Sequence, residues 1–177
     1  MKTVVGLAIF LCLWLSSCNS EPSLQKYFVE NTESSEFVSV DLAPSIINTE
    51  KVSLTNSEKE ALESFEKMNI LAFKSDSSNI ANYDKEIKEV KTLLKDETYQ
   101  QLMKVGSGND GAAVYFVGDD EHISEFVVLA NRKENGFAVV RVLGNDMNPT
   151  HIVNMLSLLQ KSDMNLEQLK PLQELMK

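Results

Sequence analysis

Few side chains in this sequence have types and spacing that could do chemistry, and the most specific group stands at the start. Leu15-Ser16-Ser17-Cys18 follows a basic Met1-Lys2 and a nearly unbroken apolar run over residues 3–15. That run is too short for a bilayer, which needs about 20 residues, and it has the n-region and h-region of a secretory signal. Small residues just before a cysteine give it the form of a bacterial lipobox. A peptidase would cut before Cys18, and the thiol would take up a diacylglyceryl group. Such a lipid holds a domain to a membrane at about 0.8 kcal/mol per buried CH₂. Cys12 and Trp14 leave with the signal and Cys18 carries lipid. No thiol then remains for a disulfide, a nucleophile or a Cys-ligated metal.

Other constellations are weaker. Asp119-Asp120-Glu121-His122 invites a metal reading, but its spacing matches neither an EF-hand nor a His-carboxylate triad, and a solvated hairpin turn accounts for it. Gly106-Ser107-Gly108 lacks the lysine of a phosphate loop and the spacing of a nucleophile elbow. His122 and His151 are the only histidines, so a His-rich metal site is excluded. His151 reads as a surface residue in the first turn of a helix, and Asn145-Asp146 as part of that helix's cap.

A third group depends on strand register. If Val117 pairs with Ile123, Tyr115 stands opposite Glu125; if Leu129 pairs with Phe137, Glu125 stands opposite Arg141. Tyr115, Glu125 and Arg141 would then form a polar row across three strands. Ile123, Leu129 and Phe137 would surround it as a candidate partner-binding face. The plainer alternative is solvated cross-strand pairs worth a few tenths of a kcal/mol.

The elements that would position these residues follow from periodicity. Residues 112–117, 123–130 and 137–143 are rich in Val, Ile, Phe and Tyr, with short polar connectors, and predict an antiparallel meander. Its Val114, Phe126 and Val140 face is expected against helices. Residues 36–42 and 69–74 read as two further strands, joined by a helix that opens on the Thr55-Asn56-Ser57-Glu58 capping box. Leu62, Phe65 and Met68 form that helix's stripe. A right-handed crossover would make the two strands parallel. Helices are also expected over 23–31, over 80–95 and from Pro149 to about 161, with 99–105 as an extra helical turn. The fold class expected is α+β: a single mixed five-stranded sheet, a β-α-β unit plus the C-terminal meander, with helices mainly on one face. Residues 1–17 read as signal peptide, 18–23 as acylated spacer and 24–162 as one globular domain. Residues 163–177, with Leu166, Leu169, Leu172 and Met176 interrupted by Pro171, read as a loosely docked helical or frayed tail.

A formal net charge of −9 argues against nucleic acid as a partner and against binding anionic headgroups by charge. Three stretches, 37–40, 69–73 and Arg141-Val142-Leu143-Gly144-Asn145-Asp146-Met147-Asn148-Pro149, resemble the Bacteroidetes lipoprotein family catalogued as domain of unknown function 4252. The likeness covers about residues 24–159. It implies a small envelope lipoprotein, with no activity, cofactor or catalytic residues to carry over. The expectation is therefore a lipid-anchored domain of the bacterial cell envelope, at the outer membrane and facing either the periplasm or the surface. It would use no cofactor, touch the membrane through Cys18 and bind an envelope protein or small ligand without catalysis. The rival readings are a hydrolase-like enzyme using serine or carboxylates, and an accessory component of envelope signalling or surface assembly.

Overall fold

The computed structural model describes residues 22–164 apart from 50–51, 77, 108–109, 120 and 162. Cys18, the signal and most of the tail lie outside the described residues, as do Gly108 and Asp120. Among the described residues there are four α-helices: α1 (Leu24–Asn31), α2 (Asn56–Ser64), α3 (Ile80–Leu93) and α4 (Pro149–Lys161). The strands are β1 (Phe37–Leu42), β2 (Ile47–Asn48), β3 (Phe65–Lys74), β4 (Gln100–Ser107), β5 (Asp110–Gly118), β6 (Ile123–Arg132), β7 (Gly136–Met147) and β8 (Asp163–Met164). Six of them form one sheet in the order β1-β3-β7-β6-β5-β4, and β2 pairs with β8. No described helix is long and apolar enough to cross a membrane.

Three expectations need correction. The sheet has six strands rather than five, because residues 100–107 are an edge strand and not a helical turn. Gln100, Gln101, Leu102, Met103 and Lys104 all suit a helix, but pairing with β5 overrides that preference. A register shift between Gln101 and Met103 also hides the strand's alternation.

The sheet is antiparallel at every step rather than mixed, and β1 and β3 are antiparallel neighbours. β1 leaves the sheet at Leu42, and the chain re-enters beside it, with Leu42 opposite Met68. The intervening α2 ends at Ser64, and Phe65 already belongs to β3. This connection returns at the end it left and makes no crossover. The crossover is β3-α3-β4, whose strands run the same way at separated places in the sheet.

Helices cover both faces rather than mainly one. On the first face, α1 and α3 bury Leu24, Tyr27, Phe28, Tyr83, Ile87 and Val90 against Leu71, Phe73, Val127, Leu129, Phe137 and Val139. The Phe73 and Phe137 rings stack at 5.5 Å, with Phe37 and Tyr83 edge-on or tilted around them. On the second face, Ala61 of α2 and Met155 and Leu158 of α4 pack on Phe65, Phe116, Phe126 and Val142.

Local signals hold the ends in place. Thr55 accepts from the Glu58 N–H at 3.2 Å, and Glu58 accepts from the Thr55 N–H at 2.9 Å, closing the capping box of α2. Gly144 is opposite Phe65, and a β-carbon there would stand 2.0 Å from the Ser64 carbonyl oxygen. Only glycine lets α2 pass into β3 so close to β7.

Candidate functional site

The expected polar row is rearranged and roofed over. Arg141 Nε donates to Glu125 Oε1 at 2.6 Å and Nη2 to Oε2 at 3.0 Å, a bidentate pair. Both residues are buried, Arg141 at 4% exposure. Arg141 also donates to Gln25 Oε1, and its guanidinium carbon lies 5.3 Å from the Phe28 ring centroid. Gln25 and Phe28 belong to α1, so that helix caps the pair. The register differs from both expectations: Tyr115 and Arg141 each stand opposite Val127, and Glu125 stands opposite Val117 and Leu143. Both pairings are displaced by two residues from those expected, so the three side chains keep one face but no longer stand directly opposite one another. Tyr115 is half-buried against the aromatic layer. The ion pair thus faces a helix rather than solvent. A second buried contact lies nearby, where the Tyr27 hydroxyl donates to Glu86 Oε2 at 2.8 Å. Burial, reinforced by Glu86, pushes the Tyr27 hydroxyl far above its ordinary pKa.

The residues with catalytic possibilities make structural contacts. Asp119 accepts from the backbone N–H groups of Glu121 and His122 at 3.1 and 2.9 Å, which closes the β5–β6 turn. His122 Nδ1 meets exposed Asp146 at 3.0 Å, and that bond, with Asp119 nearby, raises the imidazole pKa. His151 is half-buried, with Nδ1 3.0 Å from Ser64 Oγ and Nε2 3.1 Å from Asn148 Nδ2. A serine, a histidine and an amide in line invite a hydrolase reading, but the donors run the wrong way. Ser64 Oγ donates to the Ala61 carbonyl at 2.9 Å, and Asn148 Oδ1 accepts the His151 N–H at 3.1 Å. That polarity assigns Nδ1–H as donor to Ser64 and Nε2 as acceptor from Asn148. The imidazole therefore cannot take the serine proton; the trio ties the end of α2 to the start of α4. Among the described residues, no three His, Cys, Asp or Glu side chains gather as a metal site.

The arrangement that stands out lies on the second face, and sequence reasoning passed over it. Register aligns three rows across the sheet. The first is Leu42, Met68, Val142, Phe126 and Phe116, under α2 and α4. The second is Val40, Ile70, Val140, Val128, Val114 and Met103. The third is Val38, Ala72, Ala138, Ala130, Ala112 and Val105, with four alanines on consecutive strands. Cover thins along this series. Ala72 and Ile70 are buried, Ala112, Ala138 and Val140 half-buried, and Ala130 exposed, while Met103 and Val105 are 53% and 52% exposed.

A groove of about 1140 Å³ runs over the alanine row. Its rim carries Lys74, Arg132, Asp110 and Glu134, charges of both signs. At the β3 end, Ser75 also lines the groove; its hydroxyl is buried and has no hydrogen-bond partner. A buried hydroxyl left unpaired costs about 1–3 kcal/mol, so this atom marks where an occupant could donate or accept. The signal was in the sequence as pairs two residues apart on successive strands: Ile70/Ala72, Ala112/Val114, Val128/Ala130 and Ala138/Val140. The expectation that this whole face is covered holds for the row of Phe126 and for Val40 and Ile70 of the next, and fails at exposed Ala130, Met103 and Val105.

No curated protein and no solved structure matches the chain. One family does, over residues 27–155, and the region matched holds the whole six-stranded sheet and helices α2 and α3. The chain belongs to the family described as domain of unknown function (DUF4252).

Proposed function

We propose that this protein is a lipid-anchored envelope module that binds, without catalysis, an amphipathic helix of a partner protein on the open half of its second sheet face. The alanine row carries the reading. Small side chains on four adjacent strands let a helix backbone approach closely, and the same face already takes helices on its other half. The mixed-charge rim suits the polar flank of such a helix, and Ser75 offers its hydroxyl. The anchor rests on the lipobox ending at Cys18 and on the resemblance to an envelope lipoprotein family read from the sequence. Only about five residues separate Cys18 from α1, a reach of about 17 Å when extended. The domain would therefore stay close to the membrane surface. The reversed donor order at Ser64 and His151 speaks against the hydrolase reading.

Crosslinking and capture from intact cells test this, with the native chain beside Ala130→Arg. Ala130 is exposed, so the arginine should leave unfolding unchanged while it fills the groove and abolishes capture of a specific partner. A partner retained undiminished by Ala130→Arg would overturn the reading.

A further inference from the structure

We infer that two copies of this chain pair antiparallel through the free edge of β4, joining their six-stranded sheets about a two-fold axis. This pairing stands apart from the helix docking proposed above. β4 ends the sheet, and among the described residues no strand lies along its far side. Alternate backbone N–H and C=O groups of an edge strand point outward, and another extended strand matches them in spacing. All of residues 100–106 are exposed. Of the six exposed large hydrophobic side chains among the described residues, Leu102, Met103 and Val105 stand on this one strand. Val29, Ile80 and Val153 are scattered over three helices. Sheet edges are ordinarily blunted by short strands, charges or proline. β4 runs eight residues without proline, and Lys104 is its only charge. Its register shift falls between Gln101 and Met103 and leaves 103–107 in unbroken pairing with β5.

Charge decides whose strand fits. A net charge of −9 sets copies of the chain against each other over most of their surface. Among the six strands of the main sheet, β4 alone lacks a carboxylate: β1 has Asp41, β3 Glu66, β5 Asp110, β6 Glu125 and β7 Asp146. Two copies therefore meet with least repulsion edge to edge at β4. The opposite edge is unsuited, because Phe37, Val40 and Leu42 of β1 are already buried and Asp41 is exposed. A register centred on Val105 sets Met103 opposite the second copy's Ser107 and Lys104 opposite the second copy's Gly106. That keeps the two lysines out of direct opposition and brings the exposed Val105 side chains together. One strand edge is smaller than the about 800 Å² per partner of a standard interface. The pair is therefore weak in dilute solution, and the proposed anchor strengthens it by raising the effective concentration on a shared membrane surface.

The test co-expresses two differently tagged full chains in intact cells. A photoreactive phenylalanine analogue in place of Val105 should give adducts that map to residues 100–107 of the other tagged copy. Adducts confined to a different protein, or none, would overturn the inference. Charge swaps give a second readout. With Met103→Glu and Val105→Glu in both copies, like charges face each other, and capture of one tag with the other should fall at least about tenfold. Met103→Lys and Val105→Lys in both copies should do the same, while the Glu variant in one copy and the Lys variant in the other should restore capture. Undiminished capture in the like-charged pairs, or no recovery in the mixed pair, would contradict edge pairing. These side chains are exposed, so each variant should keep the native unfolding midpoint, which separates lost pairing from lost fold. Ala130→Arg lies off this edge and should leave the co-capture of the two copies intact; its loss would place the contact in the groove and overturn the pairing.

Discussion

The two faces of the sheet are closed in opposite ways. The first carries Glu125 and Arg141, a polar pair typical of a sheet exposed to water, and α1 seals it with Gln25 and Phe28. The second has apolar rows that demand cover, yet cover thins beyond the row of Phe126, and the alanine row opens to a groove. Polarity does not decide which face is buried. The elements laid across a face do, and a buried ion pair needs only that both its charges and its spare donors be matched. A face left open despite being apolar is then the better candidate for binding.

The largest effects should fall on the sealed positions of both faces. Arg141→Ala leaves Glu125 as an unpaired buried carboxylate and should cost about 3–5 kcal/mol in denaturant unfolding. Phe126→Ala should cost about the same, through the cavity it leaves in the second core. A loss under about 1 kcal/mol for Arg141→Ala would instead mean that α1 is not a fixed roof. Tyr27→Phe removes the donor to Glu86 and should cost about 1–3 kcal/mol, read by the same unfolding curves.

A pH effect belongs to the covered part of the second face. Lys161 donates to Glu58 at 2.7 Å, and with the Thr55 N–H it holds the carboxyl at about 2, below the ordinary 4.5. A carboxyl whose pKa is lowered by folding contributes stability that is complete above about pH 4.5 and is lost as pH falls toward 2. Unfolding midpoints at about pH 5 and about pH 3 should therefore differ in the native protein and differ less in Glu58→Gln. The smallest effects should come from the open half, where Ala130→Arg should stay within about 0.5 kcal/mol. Ser75→Ala removes an unpaired hydroxyl, so it should be neutral or stabilising.

The meander, the capping box at Thr55 and the start of α4 at Pro149 were legible in the sequence because each depends on neighbours a few residues apart. The division of β5–β7 into a Val114/Phe126/Val140 face and a Tyr115/Glu125/Arg141 face was legible too, since alternation is local. What covers each face was not, because α1 and α3 reach their contacts over 40 residues or more, as in Asn82 to Glu36 and Tyr27 to Glu86. Strand β4 was hidden by its register shift and helix-forming residues, and without it the second and third rows lose Met103 and Val105. The alanine row exists only once the registers are known. Its residues look unremarkable strand by strand.

A photoreactive phenylalanine analogue in place of Ala130, in the full anchored chain in intact cells, tests the central claim most directly. The open half-face should yield peptide adducts, mapped to an amphipathic helix of one specific partner. Adducts to phospholipid alone, or none, would contradict the claim that this apolar face exists to receive a helix.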